Sequence, residues 1–220
     1  MLGIKLELDP NTPLRILCLG AHSDDIEIGC GGTILRLIEE YENLEFWWIV
    51  LGADHQQRSI EAQESANTFL HQVSEKKIII KGFRDSFFPY IGAEIKGYFN
   101  ELKKEISPAV IFTHYRHDLH QDHRLISELT WNTFRNHLIL EYEIPKYDGD
   151  MGVPNVFVPL GKDLCQRKIH NILNVFQTQK DKQWFTEDTF WSILRLRGIE
   201  SNLPEKFAEA FYCRKLIFLP

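Results

Sequence analysis

Four short, almost wholly apolar runs, each followed by a segment with helical spacing, constrain this chain more than any other feature. Leu14 to Leu19 reads Leu-Arg-Ile-Leu-Cys-Leu and is closed by Gly20, the pattern of a strand buried on both faces. Gly29-Cys30-Gly31-Gly32-Thr33 then opens a segment in which Ile34, Leu37, Ile38 and Tyr41 share one helical face. The unit recurs. Phe46 to Gly52 is a second buried strand, Arg58 to Leu70 an amphipathic helix, and Lys77 to Ile80 a third strand. Ala93 to Ile106 is helical and stops at Ser107-Pro108; Ala109 to His114 is the fourth strand, and Arg124 to Phe134 the helix after it. Strands joined by helix-length crossovers must be parallel, so the expected fold is α/β: a doubly wound, Rossmann-like, mostly parallel sheet with helices on both faces.

Past Leu138 the regularity weakens. Ile139 to Ile144 alternates like a strand, Tyr147 to Pro154 reads as a loop, and Asn155 to Leu160 as another strand. Cys165, Ile169, Ile172, Leu173 and Phe176 make a helical face, Thr189 to Leu196 is helical, and Phe211 to Leu219 is a closing strand or extended arm. No linker, repeat or low-complexity tract interrupts the 220 residues, so one domain over 1–220 is expected.

Net charge is −6 and the 25 Lys and Arg are scattered, which excludes the basic footprint that nucleic acid requires. No apolar run approaches the ~20 residues that span a bilayer, and Met1 to Lys5 lacks a leader pattern, so no membrane span and a cytoplasmic address are expected. Cys18, Cys30, Cys165 and Cys213 form no CxxC pair and read as reduced thiols in or near the core.

The chemistry is concentrated in two places. His22, Asp24, Asp25 and Glu27 crowd the turn between the first strand and first helix, at the sheet edge where open α/β folds bind ligands. A helix N-terminus explains one such carboxylate; several together repel one another unless a cation sits among them. The second concentration follows the fourth strand, where His114, His117, His120 and His123 supply four of the chain's nine histidines. His120-Gln121-Asp122-His123 aims two imidazoles at one region, with Asp122 near enough to orient one of them. His114 and His117 read as ordinary strand-end and loop residues, with support of the neighbouring site residues as the alternative. The first and fourth strands of such sheets are commonly neighbours where strand order reverses, so the two loops can face each other across one crevice. A His-Asp pair from the first loop with one His from the second leaves an open coordination position, the mark of a catalytic metal. Zn2+ suits this set; Fe2+ remains an alternative ion. Asp24 is the spare carboxylate for proton transfer, and a second His, as imidazolium, would stabilise an oxyanion. The glycines lack GxGxxG spacing, which excludes a dinucleotide site, and instead allow close helix packing and ligand room at the helix start. Trp47 and Trp48 read as core.

With these residues in view, the chain resembles the LmbE-like, or PIG-L, family of zinc-dependent N-acetylglucosaminyl deacetylases. The family signature AHPDDxExGCGG stands here as Ala21 to Gly32, with Ser23 in place of proline, and HxDH stands as His120 to His123. Weaker echoes are Arg58 with Glu61, Asp85, and Ala208-Glu209-Ala210-Phe211. The resemblance implies zinc on His22, Asp25 and His123, Asp24 as general base and then acid, and His120 as the oxyanion-stabilising group oriented by Asp122. It also implies that Arg58 and Asp85 face sugar hydroxyls. The expected activity is hydrolysis of the N-acetyl group of a small-molecule or glycan-linked amino sugar. The alternatives are another small amide as substrate, or a sugar-binding protein of the same fold without turnover. The sequence leaves room for a homo-oligomer.

Overall fold

The apolar runs become the centre of one seven-stranded sheet in a computed structural model that describes residues 3–6 and 12–217. Its strands are β1 (Leu14–His22), β2 (Leu44–Gly52), β3 (Glu75–Ile80), β4 (Val110–His114), β5 (Leu138–Tyr142), β6 (Val156–Pro159) and β7 (Ala208–Tyr212). The helices are α1 (Asp25–Glu40), α2 (Gln56–Phe69), α3 (Gly92–Glu105), α4 (Gln121–Thr133), α5 (Lys162–Val175) and α6 (Glu187–Ser201). Strand order is β3-β2-β1-β4-β5-β7-β6, with β1 to β5 mutually parallel and β7 antiparallel to both its neighbours. The expected mostly parallel α/β sheet is what forms, and β1 and β4 do sit side by side at the reversal of strand order.

The period-two pleat sorts the core. Leu14, Ile16 and Cys18 of β1 and Phe46, Trp48 and Val50 of β2 pack toward α1, α2, α5 and α6. Leu17, Leu19, Ala21, Trp47, Ile49 and Leu51 pack toward α3 and α4. Both tryptophans are therefore buried, as their apolar setting implies. Cys18, Cys30 and Cys165 are buried free thiols. Cys30 donates to Ile26 O at 3.3 Å and burial pushes its pKa well up, so it is inert.

Most element ends shift by a few residues from the sequence reading, and two of the differences change how the chain packs. β1 continues through Gly20 to His22, and α1 begins at Asp25, so Gly29-Cys30-Gly31-Gly32 lies inside the helix and gives no ligand room at its start. Close packing explains the glycines instead. A Cβ at Gly32 would stand 2.5 Å from Leu160 Cδ1 and 3.0 Å from Glu209 Oε1. Glu209 reaches from β7 across α1, accepting from Gly32 N at 2.8 Å and Thr33 N at 2.6 Å. Lys168 of α5 neutralises it at 2.6 Å and donates also to Ile28 O at 2.7 Å. The second difference is at the C-terminal end: β7 runs over Ala208–Tyr212, and of the expected Phe211–Leu219 arm, residues 218–219 lie outside the described residues.

Candidate metal centre

Because β1 and β4 are neighbours, the turn after β1 and the loop after β4 meet at the carboxyl edge of the sheet. His22 Nδ1, Asp25 Oδ2 and His123 Nε2 form a triangle with sides of 3.1, 3.4 and 3.6 Å. Tetrahedral donors at zinc bond lengths of 2.0–2.1 Å stand about 3.3 Å apart, so the triangle fits such an ion.

The other nitrogen of each imidazole is held by a carboxylate. His22 Nε2 lies 3.1 Å from Asp122 Oδ2 and 3.1 Å from Asp85 Oδ1, and His123 Nδ1 lies 2.9 Å from Asp118 Oδ2. Imidazoles tied in this way at one nitrogen present the other to an ion. His22 N donates to Asp25 Oδ2 at 2.6 Å, which fixes the carboxylate within the same turn.

The electrostatics point to a cation. Burial opposes a charge on His22, yet Asp122, Asp25 and Asp85 outweigh it and hold its pKa well above the ordinary value. Burial alone would raise Asp25; His123 and His114 hold it well below the usual carboxylate range. Burial and His114 push His123 down to about 3, leaving a neutral imidazole suited to ligation. Burial raises Glu27 to about 8, and neither of its carboxylate oxygens has a hydrogen-bond partner.

Asp24, the residue preceding α1, is 5% exposed, and its Oδ1 accepts from Arg58 Nη2 at 2.7 Å. Arg58 Nη1 lies 3.3 Å from both Glu61 Oε2 and Thr178 Oγ1, so the guanidinium is braced by α2 and the segment after α5. Arg58 is thus engaged with Asp24, whereas Asp85, on His22 with 57% of its side chain exposed, faces solvent. Among the described residues, His22, His120 and His123 also gather donor atoms within 4.8 Å. His120 is the residue that caps α4, accepting from Asp122 N at 3.3 Å through Nδ1, and burial together with His22 lowers its pKa. A lowered pKa disfavours the imidazolium form expected from sequence.

The Asp122 carboxylate departs from its expected role. Its oxygens accept from Ser86 N at 2.7 Å and Phe88 N at 3.1 Å besides contacting His22, so it orients His22, and only its backbone N–H engages His120. Ser86 delivers that N–H from a left-handed backbone with φ of 66°, a conformation costly for a residue with a side chain.

Three further residues contribute, and one of them, His114, takes the supporting role that stood as its alternative. His114 is fully buried, stacks on His123 at 3.9 Å and accepts from Ala21 N through Nε2 at 2.9 Å. That nitrogen also lies 3.2 Å from Asp25 Oδ2, so Asp25, His114 and His123 form a second group of donor atoms within 4.8 Å of one another. His117 is exposed, as expected. Asp118 and Lys146 escaped the sequence reading; the signal for Asp118 was its alternation with His120 and Asp122 ahead of His123.

A doubly wound sheet with a His and Asp donor cluster at its switch point defines an α/β protein built around a candidate metal centre. Residues 17–134, more than half of the chain, match the PIG-L family described as GlcNAc-PI de-N-acetylase. The chain belongs to this deacetylase family. It is 26% identical over 136 residues to the uncharacterized deacetylase YaiS of Escherichia coli, covering 59% of this chain and 74% of that one. N,N'-diacetylchitobiose deacetylase from Pyrococcus horikoshii shares the fold with a TM-score of 0.65 and 21% identity, over 93% of this chain and 86% of that one. GalB, the 4-carboxy-2-hydroxymuconate hydratase of Pseudomonas putida, also shares it, with a TM-score of 0.74 and 13% identity over 94% and 98%. The fold therefore hosts more than one chemistry. No helix among the described residues is long and apolar enough to cross a membrane.

Proposed function

We propose that the chain, working as one domain, is a zinc-dependent hydrolase that removes the N-acetyl group of an amino-sugar derivative and releases acetate. The observation that carries this reading is the triangle of His22 Nδ1, Asp25 Oδ2 and His123 Nε2, each imidazole backed by its own carboxylate. A bound divalent ion supplies Lewis-acid polarisation of the amide carbonyl and makes water a nucleophile near neutral pH.

The chain's own residues supply the rest. Asp24 takes a proton from the attacking water and returns it to the departing amine, with Arg58 holding Oδ1 and leaving Oδ2 for the proton. His120, with Nδ1 occupied as an acceptor, donates from Nε2 to the developing oxyanion. Asp122 keeps His22 in register. Asp85 is the acid left to accept from sugar hydroxyls, and Arg58 acts through Asp24.

The hydratase neighbour makes the test specific. Metal content is measured on protein purified without added zinc, and acetate release is then assayed on a panel of N-acetyl amino sugars, free and conjugated. Acetate release that is abolished by a chelator and restored by zinc is the expected result. Water addition without acetate release, or sugar binding without turnover, would refute it.

A further inference from the structure

The loop joining β5 to β6, residues 143–155, brings a buried cation to the back of the metal centre. Lys146 Nζ lies 2.8 Å from Asp118 Oδ2 and 2.6 Å from Asp150 Oδ2. Asp118 Oδ2 is the same oxygen that accepts from His123 Nδ1 at 2.9 Å, while Asp118 Oδ1 accepts from His120 N at 2.8 Å. The side chains of Lys146, Asp150 and Asp118 are 10%, 5% and 2% exposed, so this chain of charges is held away from water. Asp150 Oδ2 accepts in addition from Leu119 N at 2.6 Å, tying the loop to the segment that carries His120 and His123.

The loop is anchored independently at both ends. Arg197 of α6 donates to Glu143 Oε1 and Oε2 at 2.6 and 2.7 Å and to Gly152 O at 3.2 Å. Tyr212 OH accepts from Gly152 N at 3.0 Å. Lys146 is therefore not the sole attachment of the loop, and its Nζ is taken up by Asp118, Asp150 and Ile144 O. A charged lysine kept out of water calls for another account.

Asp118 supplies it. A buried carboxylate keeps its place only where its oxygens are held, and among the described residues Lys146 Nζ is the one side-chain cation on Asp118 Oδ2, the oxygen that grips His123 Nδ1. Without that grip the carboxylate can turn away and free the His123 ring, whose Nε2 must point at the ion. We propose that Lys146 is a positioning residue for the metal centre: it locks Asp118, Asp118 locks His123, and metal affinity is thereby coupled to the docking of the 143–155 loop. The inference rests on His123 being a metal ligand.

Lys146→Met in the full chain tests it, with zinc affinity read by competition against a chromogenic chelator and site geometry by the Co2+ absorption spectrum. The expected result is zinc binding weaker by about 10- to 100-fold with an altered Co2+ spectrum, and recovery of most of the affinity in Lys146→Arg. A purely electrostatic lysine predicts the opposite sign, because removing a cation would tighten zinc binding. Affinity that is tighter or unchanged, with an unaltered spectrum, overturns the proposal even where the melting temperature falls. If Lys146→Met fails to fold, Asp150→Asn removes one of the two carboxylates that hold Nζ and is expected to weaken zinc several-fold; wild-type affinity there overturns the coupling. A wild-type chain that binds no zinc would refute the metal reading itself, an outcome distinct from a wild type and a variant that bind alike.

Discussion

Gly29 brings α1 onto the sheet, and Gly29→Ala is expected to be the most damaging small substitution near the metal centre. An added Cβ would stand 2.1 Å from Tyr142 Cδ2, 2.5 Å from Cγ and 2.8 Å from Cε2. Carbon atoms in contact sit about 3.5–4.0 Å apart, so roughly 1.4 Å has to be opened. Tyr142 cannot provide it: the ring is fully buried, its hydroxyl donates to Leu19 O at 2.7 Å, and it packs on His114 at 4.8 Å. Overpacking of this kind costs about 3 kcal/mol or more where neighbours are fixed, against about 1 kcal/mol gained from the better helix propensity of alanine. The net loss is about 2 kcal/mol or more, or about 4–8 °C in Tm for a chain of this size. The helix has to move outward to accommodate the methyl group, taking Asp25 away from His123, so zinc affinity should fall as well. Urea unfolding and chelator competition read the two effects. Gly97→Ala is the control: Gly97 is exposed on α3 with nothing within 4 Å of an added Cβ, and the change should stabilise by about 0.5–1 kcal/mol. If Gly29→Ala leaves stability unchanged or raises it as Gly97→Ala does, the close approach of α1 to β5 is wrong.

Asp24→Asn is expected to retain zinc while kcat for acetate release drops about 10²- to 10⁴-fold; a near-normal rate would remove Asp24 as the base. Asp122→Asn separates two accounts of that residue: loss of the acceptor on His22 Nε2 predicts zinc affinity lower by about 10- to 100-fold, whereas orientation of His120 predicts a lower kcat at unchanged affinity. Arg197→Met strands Glu143 without its buried partner and should cost about 3–5 kcal/mol in urea unfolding. Zinc at 100 times its Kd should add about 2.7 kcal/mol to stability and a chelator should reverse the gain; a Tm indifferent to zinc would count against a folded-state site.

The parallel half of the fold was legible because burial on both faces leaves strands that are apolar throughout, and Leu14 to Leu19 and Ala109 to His114 state their roles in composition alone. The antiparallel closure was legible only in part: Asn155 to Leu160 read as the strand that became β6, but β7 was misplaced. β7 contains Glu209, a charge that argues against a buried strand until its partners are known, and those partners, Lys168 and the amides of Gly32 and Thr33, are far away in the chain. The glycines of α1 misled for a related reason. A run of glycine marks either a turn or a close approach, and Tyr142, Leu160 and Glu209, which decide between them, come from other elements.

The donor triangle was readable from two local clusters, but the carboxylates that orient it were only half readable, and helix geometry explains why. Asp122 follows His120 by two positions at the opening of α4, and residues two apart on a helix point about 200° away from each other. Nearness in sequence suggested that Asp122 serves His120; direction sends its carboxylate to the opposite side, where His22, Ser86 N and Phe88 N converge. His120 receives the Asp122 backbone amide instead, since a residue capping a helix faces the free N–H groups of the first turn. Asp118 lies before the cap, where the chain doubles back, and from there one carboxylate spans His120 N and His123 Nδ1. The second loop thus supplies the orienting acid for a ligand on each side of the crevice, Asp122 for His22 and Asp118 for His123. A change in how α4 begins would therefore disturb both imidazoles together, although only His123 belongs to that helix.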